Sequence, residues 1–248
     1  MKFISSTNLI LTCMAFVLAG CANLPFLENI QQQPEVSENA KAEKSLTPLQ
    51  LKVLELKAKP NLYTQQYSQS NEALSPLLKK QFNQAVAYKI EGKLDQAETL
   101  LKHLSQTQPQ LSGVWLQLGS IALLKGTMLK NSPKNISLDK SETYLNNAVA
   151  ANNLNFNAHN LLGQVYRHKG KFTQALRHYD KAIAIWPAFP EAYMNRGVLY
   201  DLYLGEKSHA LDDYTLYQAL LDKPSRQVKG WIADLKRQIK AQQKNGGV

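Results

Sequence analysis

The stretch "AHNLLGQVYRHKGKFTQALRHYDKAIAIWP", residues 158–187, carries the residue pattern that decides the fold of this chain. Gly163 lies in a first predicted helix, Gly170 supplies a turn, and Ala175 belongs to a second predicted helix that ends at Pro187. Small residues let neighbouring helices approach closely, and proline stops a helix because it lacks the backbone N–H donor. The stretch therefore predicts two packed helices joined by a short turn.

The same pattern recurs along the chain with a period near 34 residues. The stretches "VWLQLGSIALLKG" (114–126) and "AYMNRGVLYDLYLG" (192–205) have glycine where the first stretch has Gly163, and small residues follow at 97, 141, 175 and 210. This period and residue set are similar to the tetratricopeptide repeat, in which each unit is a helix–turn–helix. The resemblance implies an all-α solenoid of about four units, at 78–111, 112–155, 156–189 and 190–223.

Two units depart from the regular period. The unit 112–155 has an insertion around 127–137, which predicts a loop and a candidate second contact site. The unit 190–223 has one extra residue at its turn. After the last unit, residues 224–248 contain an amphipathic run that we predict to be a capping helix, because a solenoid end exposes an apolar face that must be covered.

The first 20 residues have the features of an export signal. Lys2 precedes an apolar run at 9–18, which is too short to span a membrane. The following Leu18-Ala19-Gly20-Cys21 resembles the signal of bacterial lipoproteins, which implies that Cys21 becomes the acylated first residue of the mature protein. Two or more acyl chains hold firmly to a membrane. The alternative is a plain cleaved signal with a chance cysteine at its end.

The residue after the cysteine indicates where the protein is sorted. In Gram-negative lipoproteins an aspartate at this position retains the product at the inner membrane, and this chain has Ala22. For a double-membraned cell the resemblance therefore implies the outer membrane, with the periplasmic face as the default.

The segment between the anchor and the solenoid predicts a mostly flexible tether. In this segment, at 21–74, residues 22–48 are rich in polar residues and contain few large apolar ones after Ile30, so they bury too little to offset their ordering entropy. Within this segment, 49–59 is predicted as a short helix and 61–74 as further linker. Ser75 is a predicted N-cap, with proline in the first turn, at the start of the solenoid at 75–223.

No arrangement of residues in the sequence indicates catalysis. The five histidines and two cysteines lack metal-ligand spacing, and the phosphate-binding and nucleophile motifs are missing. We therefore expect no enzyme, no metal and no cofactor. Asp212 and Asp213 are adjacent, and adjacent helix positions do not face each other, so we predict a solvated face rather than an acid pair.

The chain carries an excess of positive charge. With 29 Lys and Arg against 19 Asp and Glu, the formal net charge is +10. The basic residues form no dense block, so we expect no nucleic acid as a partner. The charge is better explained by an anionic surface or an acidic partner.

The family resemblance also implies a concave groove lined by the first helix of each unit. Phe82 and Val86 stand where family members that bind a C-terminal carboxylate have Lys and Asn, which argues against that binding mode. An apolar half followed by an Asn-rich half suits an extended peptide or a partner helix, although each side chain alone is also consistent with a solvated helix face. The groove positions are Phe82, Val86, Lys89, Leu116, Ser120, Leu123, Asn157, Asn160, Gln164, Arg167, Glu191, Met194, Asn195 and Asp201.

Together these features predict a lipid-anchored adaptor that binds protein or peptide partners in the cell envelope. The phrase "NRGVLYDLYLG" (195–205) resembles outer-membrane lipoproteins that scaffold peptidoglycan hydrolases, and others that assist assembly of type IV pili. The alternative hypothesis is an envelope structural protein that binds cell-wall glycan through its basic face.

Overall fold

The computed structural model describes residues 46–69, 75–128 and 134–245 as a helical protein. The predicted signal at 1–20 and the predicted lipidation site Cys21 lie outside the described residues. The described part of the chain contains helices and no strand. The helices are α1 (Pro48–Ala58), α2 (Leu62–Gln69), α3 (Pro76–Ile90), α4 (Leu94–Thr107), α5 (Ser112–Met128), α6 (Lys134–Ala151), α7 (Phe156–His168), α8 (Phe172–Ile185), α9 (Pro190–Leu199), α10 (Lys207–Leu220) and α11 (Arg226–Asn245).

Helices α3 to α10 form four consecutive pairs, as the repeat pattern predicts. In each pair the first helix packs against the second, and neighbouring pairs contact each other along the chain. Helix α11 packs on α10, where Val228 and Leu235 are buried against Tyr214. The predicted all-α solenoid of four units with a C-terminal capping helix is therefore confirmed.

Glycines in the first helices allow the close approach within a pair. A Cβ atom at Gly163 would lie 2.4 Å from the Tyr179 ring, and one at Gly119 would lie 2.5 Å from Leu145. These distances are far below van der Waals contact, so no side chain fits between the helices. The small residues predicted in the second helices, Ala97, Ser141, Ala175 and Ala210, are all 0% exposed.

The extra residue of the fourth unit is accommodated inside its first helix. Helix α9 continues beyond Leu199 as a π-helical turn at Tyr200–Leu204, which ends at Gly205 with φ of 71°. A π-helical turn holds one more residue than an α-helical turn. The prediction that the extra residue lies at the inter-helix turn is therefore wrong, because the helix widens to take it up.

The insertion of the second unit also lengthens helices. Helix α5 has 17 residues and α6 has 18, whereas α7 and α8 of the next unit have 13 and 14. The prediction of a loop over 127–137 is therefore wrong for both ends of that range, which are helical. Residues 129–133 lie outside the described residues.

The segment before the solenoid contains two helices that pack on it. The Thr47 hydroxyl accepts from the Gln50 backbone N–H at the start of α1, and the buried Leu56 of α1 packs with Tyr193 and Leu220. In α2, the Tyr63 ring makes an edge contact with Phe156, with centroids 5.9 Å apart.

The predicted helix at 49–59 matches α1 to within a residue at each end. The prediction of linker at 61–74 is wrong for Leu62–Gln69, which forms α2. Two local features of this stretch favour a helix in spite of its polar composition. The Asn61 side chain accepts from the backbone N–H groups of Tyr63 and Thr64, so it caps the helix, and Tyr63 gains an apolar contact with the solenoid.

Ion pairs join neighbouring units at equivalent positions. A lysine at the fourteenth residue of the second unit pairs with two carboxylates on the second helix of the first unit, and the third unit repeats this arrangement with the second. Each lysine is about one-fifth exposed, so the pairs are partly shielded from water. The groups are Lys125 with Asp95 at 2.7 Å and Glu98 at 2.6 Å, and Lys169 with Asp139 at 2.5 Å and with Glu142.

A further charge cluster connects the third and fourth units. Arg196 donates to Asp213 through Nε at 2.8 Å and Nη2 at 2.7 Å, and to Asp180 through Nη1 at 2.6 Å. Burial opposes the charged guanidinium, but these hydrogen bonds outweigh it and raise the pKa of Arg196. Asp213 is only 3% exposed, so the prediction of a solvated face is wrong for Asp213, while Asp212 is exposed. The two side chains point in different directions, and only Asp213 faces α9.

Candidate functional site

The predicted groove residues lie on the first helices of the four units. Helices α3, α5, α7 and α9 contact one another in succession, so they form one continuous layer across the solenoid. Asp201, the last predicted groove residue in sequence, belongs to the π-helical turn that follows α9. We call the surface formed by the predicted positions on this layer the groove.

The first half of the groove is apolar. Phe82, Val86 and Leu116 are half-buried, whereas Leu123 is 6% exposed and belongs to the core between the second and third units. Leu123 therefore stabilises the fold and offers little surface to a partner. Beside Phe82, a depression of about 350 Å³ opens between α2, α3 and the start of α5, with mostly apolar walls.

Lys89 is the cation of this apolar half. Its Nζ donates to Gln117 Oε1 at 2.6 Å and to Ser120 Oγ at 3.2 Å, both on the neighbouring α5. Burial lowers the pKa of Lys89, and within the described residues no carboxylate pairs with it. Gln117 was not among the predicted groove residues, although it lies on the same helix as Ser120 and one turn before it.

The second half of the groove is polar, as predicted. Asn195 Nδ2 donates to Asn160 Oδ1 at 3.0 Å, which joins α7 to α9. Asn160 is only 5% exposed, so its amide is largely used inside the fold. Asn157 and Gln164 are half-buried and form no side-chain hydrogen bond with the described part of the chain, so their amides are available to a partner.

Arg167 lies at the centre of this polar half. Its guanidinium carbon is 5.8 Å from the centre of the Tyr203 ring, and its Nε is buried without a hydrogen-bond partner among the described residues. Tyr203 in turn packs against Phe172, with ring centroids 5.2 Å apart. The prediction missed Tyr203, and the one available signal was the extra residue that creates the π-helical turn.

The far end of the groove carries negative charge. Glu191 is exposed at the start of α9, and Asp201 Oδ2 accepts weakly from the Tyr214 hydroxyl at 3.4 Å. Met194 packs against the core beneath α11, so it contributes mainly to stability. Along the groove, the Lys89 cation is therefore followed by the apolar surface of Leu116, then by the Arg167 cation, and then by the carboxylates of Glu191 and Asp201.

Two histidines of the third unit are in contact, although their sequence spacing gave no sign of it. His159 Nε2 is 3.2 Å from the Asn153 carbonyl oxygen, and its Nδ1 is 3.1 Å from His178 Nδ1. When His159 Nε2 donates to the carbonyl, its Nδ1 accepts from His178 Nδ1, so this contact is satisfied with both rings neutral. Burial, together with the nearby His159, lowers the pKa of His178 to about 4.

The described residues contain no group of three or more His, Cys, Asp and Glu side chains that is arranged to hold a metal ion. In the same part of the chain, no helix has the length and apolar character needed to cross a membrane.

Comparisons with known proteins agree with this architecture. Residues 163–201 match the family model described as TPR repeat. The structure of a thermophilic TPR protein from Thermus thermophilus is similar, with a TM-score of 0.56 and 20% identity, over 64% of this chain and 80% of the other. PilF of Pseudomonas aeruginosa gives a TM-score of 0.56 at 14% identity, over 66% of this chain and 69% of its own. No curated protein matches the chain.

At these identities the solved structures establish the fold, and the family model identifies the repeat within it. The chain therefore has the tetratricopeptide-repeat fold, and the range that matches the family model, 163–201, crosses the junction of its third and fourth units.

Proposed function

We propose that this protein is a lipid-anchored tetratricopeptide adaptor that binds protein or peptide partners in its groove at the periplasmic face of the outer membrane. The observation that carries the binding proposal is a set of polar groups on α7 that have no partner among the described residues. Asn157 and Gln164 have unused amides, and the Arg167 guanidinium has no carboxylate among the described residues. Such groups, next to an apolar stretch, match the needs of an extended peptide.

The groove proposal is tested by capturing partners of the protein from its own membranes. We compare the wild type with an Asn157→Ala/Gln164→Ala variant and with a matched control, Gln96→Ala/Gln106→Ala, whose amides are exposed on α4. Circular dichroism verifies that all three proteins fold equally. We expect a small set of envelope proteins to be captured by the wild type and the control, and to be lost from the groove variant.

Two results of this capture would contradict the proposal. Equal capture by the groove variant and the control would show that the groove is not the binding surface. Capture of wall fragments alone, in a manner that weakens with salt, would favour the alternative of glycan binding through the basic face.

The membrane anchor is supported by the sequence of Leu18-Ala19-Gly20-Cys21. We expect Cys21→Ser to prevent lipid attachment, which is measured by incorporation of a labelled fatty acid and by membrane fractionation. We expect Ala22→Asp to keep the lipid but to move the protein to the inner membrane. An unlabelled wild-type protein would refute the anchor, and an unchanged location of Ala22→Asp would refute the assignment to the outer membrane.

A further inference from the structure

The half-buried cations on the first helices of the units, or directly after them, differ in whether an anion accompanies them. Lys125, Lys169 and Arg196 each form ion pairs with carboxylates of neighbouring helices. Lys89 and Arg167 form none within the described part of the chain. A cation that has lost hydration without gaining a counter-charge is unfavourable, and a bound anion would relieve this cost.

These two cations occupy equivalent positions in the repeat. Lys89 is the twelfth residue of the unit 78–111, and Arg167 is the twelfth residue of the unit 156–189. Both therefore project from the layer of first helices on the same side. Each is also held in place, since Lys89 bonds to two side chains of α5 and Arg167 lies over the Tyr203 ring. Fixed cations bind a partner with less loss of side-chain entropy.

The distance between the two cations follows from helix packing. Lys89 and Arg167 lie on α3 and α7, which are separated by α5 in the layer. Packed helix axes are about 8–10 Å apart, so two steps amount to about 16–20 Å. An extended peptide advances about 3.3 Å per residue, so its side chains reach both cations when they are about five or six residues apart.

The charges at the end of the groove give such a peptide a direction. Glu191 and Asp201 lie on the fourth unit, beyond Arg167, and neither forms an ion pair with a residue that the structure describes. An acidic side chain would be repelled there and a basic one attracted. The acidic part of a bound peptide is therefore confined to the first three units.

We propose that the groove recognises an extended peptide with two acidic side chains about five or six residues apart, one bound by Lys89 and the other by Arg167. This inference rests on the proposed function of the groove and names the chemistry of its partner. Between the two acidic side chains, the peptide passes the apolar surface formed by Leu116 and its neighbours, so small apolar residues are expected there.

The test uses a phage-displayed library of random dodecapeptides, selected on the full chain. Three proteins are compared: the wild type, Lys89→Gln/Arg167→Gln, and the control Arg177→Gln/Lys181→Gln, which removes two exposed cations of α8. We expect peptides selected on the wild type and the control to be enriched in paired Asp or Glu at a spacing of five or six residues. We expect this enrichment to disappear on the Lys89 and Arg167 variant.

Binding of the selected peptides is then measured by fluorescence anisotropy. We expect Arg167→Gln alone to weaken binding by about 10-fold to 150-fold, which is the equivalent of the roughly 1.5–3 kcal/mol that a hydrogen bond to a charged group contributes. If the selected peptides bind in the groove but are not enriched in Asp or Glu, the inference is overturned and the proposed function stands. Failure to select any peptide that competes for the groove would overturn both.

Discussion

Replacing Gly163 with alanine tests the close helix approach on which the repeat depends. The new Cβ atom would lie 2.4, 2.6 and 2.8 Å from three atoms of the Tyr179 ring, and Tyr179 is 0% exposed. Because the ring is fully buried, we expect the upper end of the usual cost of overpacking, about 3 kcal/mol. Alanine regains about 1 kcal/mol through its higher helix propensity. The net loss of unfolding free energy is therefore about 2 kcal/mol.

The matched control is Gly230→Ala in α11, where a Cβ atom would meet nothing within 4 Å. This variant gains the helix propensity without the clash, so we expect it to be more stable by about 0.5–1 kcal/mol. Thermal unfolding followed by circular dichroism measures both changes. For a chain of this size we expect the melting temperature of Gly163→Ala to fall by about 4–8 °C and that of Gly230→Ala to rise. If both variants rise together, the close contact between α7 and α8 is refuted.

The remaining predictions concern polar groups inside the fold. The Tyr179 hydroxyl is buried without a partner among the described residues, so Tyr179→Phe should leave the unfolding free energy unchanged or raise it by up to about 1 kcal/mol. Tyr193→Phe should lower the unfolding free energy by about 1 kcal/mol, because the Tyr193 hydroxyl donates to a backbone carbonyl at 3.0 Å. If urea titrations gave the same change for both tyrosine variants, the assignment of one unpaired and one hydrogen-bonded hydroxyl would be wrong. The pKa of His178 is lowered to about 4 in the fold, so the unfolded chain takes up the proton first as the pH falls. Stability should therefore decrease between about pH 6.5 and 4, by about 1 kcal/mol after allowance for partial exposure, and His178→Gln should flatten this dependence. Asp213→Ala removes two of the three hydrogen bonds that the half-buried Arg196 donates to carboxylates, and it should cost about 3 kcal/mol. Removal of the half-exposed Asp180 should cost less than about 1 kcal/mol, and comparable losses of unfolding free energy for the two variants in chemical denaturation would refute this ranking.

The sequence predicts the repeat units well because their signal is local and periodic. Each unit needs a small residue such as Gly163 at one fixed place and a turn residue such as Gly170 at another, and both can be found by counting along the chain. The burial of Asp213 could not be predicted in this way. Its partner Arg196 is 17 positions earlier, and only the packing of α9 against α10 brings the two side chains together.

The groove is an intermediate case. The family pattern places its positions on the first helices, and the structure has them there, but the pattern does not tell which side chains are already engaged. Asn160 uses its amide oxygen on Asn195, and Leu123 is part of the core. Arg167 looks like an ordinary surface residue in the sequence, and only the structure shows that it has no carboxylate partner in the part of the chain that is described. That these side chains bind a partner remains a prediction.

The junction between the third and fourth units differs from the two earlier junctions in the contact that joins the units. At the two earlier junctions, a lysine at the fourteenth position of one unit forms ion pairs with acids of the unit before it. These acids are at the eighteenth and twenty-first positions of that unit, where the second unit is numbered without its insertion. In the fourth unit the fourteenth residue is Tyr203, and the facing positions are Thr173 and Leu176, which carry no charge. The tyrosine packs instead on Phe172, in a position set by the π-helical turn. One inserted residue thus accompanies the exchange of an ion pair for an aromatic contact, and the Tyr203 ring of that contact lies against the Arg167 guanidinium, which pairs with no carboxylate among the described residues.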